Sequence, residues 1–194
     1  MNKSMSISQK YLFLFKFLRF PRQIGSVTPS SKTLAKKMVS AISWDKVRHV
    51  VELGAGTGVI THFIHEAVDS SGKVFVFEKD PTLRHSLKEQ FPEYSFFVDA
   101  TQLDVNLRSM GVEEIDCVIS GLPFANFSQQ LRDGIIEQVF QTLKPGGLFV
   151  AFQYSLQMKK HLEQHFKIVH IYYVIANFPP AFVYVCQKNE EIYQ

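Results

Sequence analysis

The sequence predicts an α/β fold, with seven strands in a mostly parallel sheet and helices on both faces. Three observations carry that expectation. From residue 49 onward, short apolar runs such as HVVEL, KVFVF and IDCVIS alternate with longer amphipathic segments, the pattern of a parallel sheet covered on both sides. The first run closes on glycines at 54, 56 and 58, a turn composition between strand and helix. The last two apolar runs are joined by Asn177-Phe178-Pro179-Pro180, a link short enough for an antiparallel hairpin.

Composition agrees with one domain carrying an appendage. The chain has 194 residues, 46% apolar and 20% charged, enough for a core and unlike a disordered chain or a fibre. No uncharged apolar run reaches 18 residues, so no membrane-spanning helix is expected. Cys117 and Cys186 read as small buried hydrophobes. No CxxC or Cys/His cluster suggests zinc or another metal.

The charge is unevenly spread. Residues 1–44 hold Lys3, Lys10, Lys16, Arg19, Arg22, Lys32, Lys36 and Lys37 and no Asp or Glu, a charge of +8. The other 150 residues carry −5. A basic N-terminal arm, 1–44, on an acidic body, 45–194, points to a polyanionic partner: nucleic acid or an anionic lipid surface. Lys16 and Arg19 break the apolar run that a secretory signal needs, so the arm is expected to stay on a cytoplasmic protein.

The arm reads as two pieces. Residues 9–20, QKYLFLFKFLRF, cluster Phe13, Leu14, Phe17 and Phe20 on one side of a helix, with Lys16 and Arg19 on the other. Such a helix suits a membrane interface or the domain's own core. A link over 21–29 follows, then a helix over 31–42 with Ser30 as its cap and Leu34 and Met38 at core spacing. Lys32 and Lys36 share a face of that helix, either to hold an anion or as a solvated surface.

The body follows in order. Strands are expected over 49–53, 73–77, 94–98, 115–120, 148–153, 168–175 and 182–187. Helices are expected over 59–68, 81–90, 128–143 and 156–164, with Lys144-Pro145-Gly146-Gly147 as a turn. Glu78 and Asp99 both fall at carboxyl ends of strands, where open parallel sheets bind ligands. There Glu78 can accept from ribose hydroxyls and Asp99 from an adenine amino group. The glycine loop has a gap of one before its third glycine, against the gap of two in a dinucleotide fingerprint.

VELGAGTG, FEKDP, VDA and Ser120-Gly121-Leu122-Pro123-Phe124 together resemble the class I S-adenosylmethionine-dependent methyltransferases. The resemblance implies a Rossmann-like fold ending in a reversed hairpin, with S-adenosylmethionine as cofactor. It implies that Gly54, Ala55, Gly56, Thr57 and Gly58 cradle the methionine part and that Glu52 places its amino group. Glu78 with Lys79 would hold the ribose, and Asp99 with Ala100 the adenine. Ser120 to Phe124 is where that family aligns the methyl acceptor, and Ser120 also borders the cofactor.

Three segments resemble the soluble bacterial phospholipid N-methyltransferases more narrowly: the SGLP element, Gly25-Ser-Val-Thr-Pro-Ser-Ser31 with Leu34-Ala35, and Asn177 to Tyr184. That resemblance implies methylation of phosphatidylethanolamine and its mono- and dimethyl forms towards phosphatidylcholine. The enzyme would be a monomer held at the inner face of the cytoplasmic membrane through residues 1–37. The alternative is an adenine dimethyltransferase of ribosomal RNA, whose phosphates would meet the basic arm; its relatives usually carry a further helical domain. A cofactor-binding module without catalysis fits an intact SGLPF element less well. Phe124 and Phe127 could box a methylated ammonium. Tyr11, Tyr154 and Tyr184 could orient a head group, and His62 and His65 are candidate bases.

Overall fold

In the computed structural model, residues 31–189 are described. The element order is α1 (Lys32–Val39), β1 (His49–Leu53), α2 (Val59–Ala67), β2 (Lys73–Phe77), α3 (Pro81–Gln90) and β3 (Ser95–Phe97). Then come α4 (Leu103–Ser109), β4 (Ile115–Ser120), α5 (Gln129–Thr142), β5 (Leu143–Gln153), α6 (Lys159–Leu162), β6 (Lys167–Val174) and β7 (Ala181–Gln187). Short 3₁₀ turns sit at Trp44–Lys46, Ala100–Gln102, Phe124–Asn126 and Leu156–Met158.

The seven strands form one sheet, ordered β3-β2-β1-β4-β5-β7-β6. β1 to β5 are parallel, and β7 is antiparallel to both neighbours. This is the Rossmann-like order with a reversed terminal hairpin that the sequence implied. Apolar residues alternate between the faces. Val50 joins the core under α1, α2 and α3, with Leu34, Met38, Ile60, Ile64 and Leu87. Val51 and Leu53 join the core under α4, α5 and α6, with Leu107, Ile136, Val139 and Leu162.

Several expectations shift. Ser31, not Ser30, caps α1, its Oγ accepting from Leu34 N at 3.2 Å. Leu34, Ala35, Met38 and Val39 are buried in the same core as β1 and β7, so a boundary at 44 does not separate this helix from the body. The sequence reading had no helix at α4, where Leu103 and Leu107 alone mark the buried side. The expected Lys144–Gly147 turn lies inside β5 as a bulge: the β4–β5 register shifts between Ile115 and Cys117. Lys144 pairs there with Asp116, and Gly147 O and Gly146 N bond Lys188. The aromatic helix expected over 9–20 lies outside the described residues.

At the start of α1, Asn177 ties two segments together. It is 4% exposed; its Oδ1 accepts from Ser31 N at 3.2 Å and its Nδ2 donates to Pro179 O at 2.6 Å. Asn177→Ala leaves both groups short of a partner, and should lower stability by about 2 kcal/mol. Urea unfolding with an unchanged m-value is the check.

Candidate active site

The glycine loop, Glu78, Lys79, Asp99, Ala100 and Ser120 to Phe124 lie along the carboxyl edge of the parallel strands, with Glu52 in the last part of β1. Gly54, Gly56 and Gly58 all have positive φ, 74°, 56° and 83°. At Gly56 an added Cβ would meet nothing within 4 Å, so the loop there faces open space and the left-handed backbone is what demands glycine. Gly54 N and Ala55 N donate to Phe77 O, and Gly58 N to Ala55 O. Gly58 then opens α2.

Glu78, at the end of β2, reaches this loop. Its Oε2 accepts from Gly56 N at 2.7 Å and its Oε1 from Asp80 N at 2.8 Å. The sequence reading gave Glu78 only ligand hydroxyls; the structure gives it the loop as well. Arg84, which the sequence did not single out, holds the backbone on the far side by donating to Glu78 O and Lys79 O. Lys79 is exposed. Asp99 ends the segment after β3, its Oδ1 accepting from Thr101 N and Oγ1, and Ala100 is half-buried beside it.

Glu52 is completely buried. Its Oε2 accepts from Thr61 Oγ1 at 2.7 Å, and its Oε1 has no partner. Burial pushes this carboxyl up from 4.5 to about 8, the Thr61 hydroxyl opposes the rise, and the nearby Glu78 charge adds to it. Thr61 was missed in the sequence. The signal was there: a lone hydroxyl on the apolar side of α2, one turn after Gly58.

The Ser120–Phe124 element closes the site from β4. Gly121 N donates to Leu53 O at 2.8 Å, and an added Cβ on Gly121 would stand 2.7 Å from Gly54 O. The Leu122 side chain lies over Gly54. Gln153, at the end of β5, donates from Nε2 to Leu122 O at 3.1 Å; nothing in its spacing announced this. Ser120 Oγ accepts from Leu122 N. Phe124 is 1% exposed and packs edge-on against Phe127 and Phe149. It is a core ring here, not one wall of an ammonium box.

Other candidates fall elsewhere. His62 packs on Phe91, and His65 Nδ1 lies 3.0 Å from Tyr94 Oη. Both sit along α2 with their rings against Phe91 or Tyr94, the residues that lead into β3. Tyr184 is buried and donates to Ser155 O at 3.2 Å, a structural hydroxyl. Tyr154 is half-buried, with its hydroxyl toward Asn177. Tyr11 lies outside the described residues. Among the described residues no cluster of three or more His, Cys, Asp or Glu could hold a metal, and no helix is long and apolar enough to cross a membrane.

The family model of the methyltransferase small domain matches residues 25–178. The chain belongs to this methyltransferase family. An ornithine lipid N-methyltransferase of Singulisphaera acidiphila is 35% identical over 187 residues, 93% of this chain and 97% of that protein. The ribosomal RNA small subunit methyltransferase A of Thermotoga maritima is 28% identical over 64% of this chain, a match that spans 42% of that protein. The solved 1,6-didemethyltoxoflavin-N1-methyltransferase of Burkholderia thailandensis, which holds S-adenosylhomocysteine, has the same fold: TM-score 0.67 over 98% of this chain and 94% of that one, at 14% identity.

S-adenosylmethionine is the cofactor of this methyltransferase, and the residues present fit it. The Glu52 Oε1 atom is a buried acceptor with no partner, suited to an ammonium group.

Two outcomes test the site. In the cofactor-free protein, folded Glu52 keeps a proton that the unfolded chain gives up above 4.5. Stability should therefore fall as pH rises towards about 8, by up to about 1.4 kcal/mol per pH unit. Glu52→Gln should flatten that slope in thermal melts, and weaken cofactor binding. Glu78→Ala removes partners of Gly56 N and of the ligand together, and should weaken cofactor binding by about 1–3 kcal/mol in calorimetry.

Proposed function

We propose that this methyltransferase acts on the amine of a membrane amino-lipid. The observation that carries this reading is the 35% identity to an ornithine lipid N-methyltransferase along nearly the whole of both chains. The SGLPF element and the Asn177–Tyr184 segment support it through their resemblance to phospholipid N-methyltransferases. Phosphatidylethanolamine and an ornithine lipid both present a primary amine near acyl chains.

The cofactor supplies a methyl group already activated on a sulfonium, so the protein's task is alignment and exclusion of water. In the proposed arrangement the glycine loop, Glu52 and Glu78 hold the cofactor, with Asp99 and Ala100 at its adenine end. Ser120 Oγ accepts from Leu122 N, which fixes the turn at the end of β4 from which the acceptor loop departs. Gln153 and Gly121 fix the acceptor loop from two sides, which holds the reacting nitrogen in line. Pro123 limits the loop's freedom. The acceptor must arrive as the neutral amine.

Labelled cofactor tests the reading. Label should pass to phosphatidylethanolamine or ornithine lipid in mixed micelles and not to unmodified ribosomal RNA. Label in the RNA alone would replace the lipid reading with the RNA one, to which the partial match with the ribosomal RNA methyltransferase points. Pro123→Ala should lower kcat at least about tenfold while cofactor affinity stays nearly unchanged. If affinity falls instead, the element belongs to the cofactor pocket.

A further inference from the structure

β7 runs against β5, and β6 runs against β7. β6 therefore ends at the same edge of the sheet as β1 to β5. The hairpin over 175–180 stands on the edge that carries the glycine loop, Glu78 and Ser120–Phe124. Gln153 spans that edge: its backbone pairs with Phe182 at the hairpin's base, and its side chain holds Leu122 O.

Two observations make this corner unusual. It exposes large apolar side chains: Ile175 is 74% exposed and Tyr173 on β6, beside Phe182, 56%. It also has no negative charge of its own. Residues 1–44 and 164–189 contain no Asp or Glu, and these stretches hold α1, β6, the hairpin and β7. Structure joins them: Ser31 N donates to Asn177 Oδ1, and Lys37 Nζ lies 3.5 Å above the Tyr172 ring. Lys32 and Lys36 are exposed on α1 beside them. Residues 1–30, with five more basic side chains and no acidic one, join the described chain at Ser31, at the foot of the hairpin.

We propose that the hairpin corner, with Ile175 as its apolar tip and Lys32 and Lys36 as its basic flank, docks on the anionic surface of a lipid bilayer. An exposed apolar tip flanked by cations matches the two layers of that surface, acyl boundary beneath phosphate. Docking there turns the site's edge of the sheet towards the membrane, so an amino-lipid reaches Ser120–Phe124 without leaving the bilayer. The inference rests on the lipid reading above and adds the surface that meets the membrane.

The test uses the full chain. Vesicles of phosphatidylglycerol and phosphatidylcholine in equal parts are compared with phosphatidylcholine alone by co-sedimentation. Ile175→Asp should lower partition onto the anionic vesicles roughly tenfold. Val105→Asp, the same apolar-to-anionic change at a 66%-exposed site on α4, should leave it unchanged. Lys32→Glu with Lys36→Glu should lower partition and flatten its dependence on salt. Transfer to a monomeric short-chain amino-lipid should survive Ile175→Asp, which shows that the variant folds. Because Cys117 and Cys186 are buried, Ile175→Cys can also carry an environment-sensitive fluorophore, whose emission should shift to the blue on anionic vesicles. Unchanged partition of Ile175→Asp, or emission unmoved by vesicles, overturns the proposal even if short-chain lipid is methylated. A corner covered by residues 1–30 or by a second copy would give that silent probe. Failure to methylate any amino-lipid strikes the lipid reading itself.

Discussion

The close approach of Gly121 to the Gly54 carbonyl, with room for no Cβ between them, is the constraint on which the site depends. It follows from topology. β1 lies between β2 and β4, so chain connections leave it in opposite directions and a crevice opens at the carboxyl ends of β1 and β4. The loop after β1 and the loop after β4 meet across that crevice. One is set by left-handed glycines, the other by a proline two residues beyond a glycine. Each loop also borrows support from a neighbouring strand: Phe77 O for the first, Gln153 Nε2 for the second. The two loops are thus held in one register by backbone contact, which the proposed in-line transfer between them requires.

Electrostatics in the crevice run in one direction. Glu52 is buried with one oxygen unpartnered, and Glu78 sits near enough to raise its proton affinity further. Two carboxyl groups around one glycine loop are unfavourable until a cation arrives. On the proposed reading, in which Glu52 meets the ammonium of the cofactor, the cost of this buried acid in the empty fold is returned when a ligand that binds only the folded state arrives. Thr61 moderates the arrangement by satisfying the other oxygen.

Much of this was legible in the sequence, and the reasons differ by element. The bounds of β1, β2 and β4 follow from continuous apolar runs, and β1 and β4 end on glycine-containing turns. The site residues at strand ends followed from those bounds, since a parallel sheet places them at one edge. The bulge in β5 was not legible: Lys144 to Gly147 has turn composition, and only its pairing with β4 and Lys188 keeps it in the sheet. α4 was missed because two leucines one turn apart are too little periodicity to mark a seven-residue helix. Thr61, Gln153 and Asn177 act through partners 9 to 146 positions away, and single-sequence periodicity carries no such pairing. Phe124 shows the converse error: its motif position suggested a wall of the acceptor site, while packing against Phe127 and Phe149 claims the ring.

The distribution of charge completes the argument from sequence to placement. Sixteen of the eighteen acidic residues lie between positions 45 and 163, the stretch that runs from just before β1 to the end of α6. The segments without acids are remote in sequence, one at each end of the chain. The fold brings them together, because α1 packs against the terminal hairpin and because β7 inserts between β5 and β6. A net charge of +3 hides this separation. A basic, outwardly apolar corner beside an acidic body gives the molecule an orientation in any anionic field. The reversed hairpin puts that corner on the same edge as the glycine loop and the Ser120–Phe124 loop, so a surface that held the corner would face both loops, as a geometric consequence of the strand order.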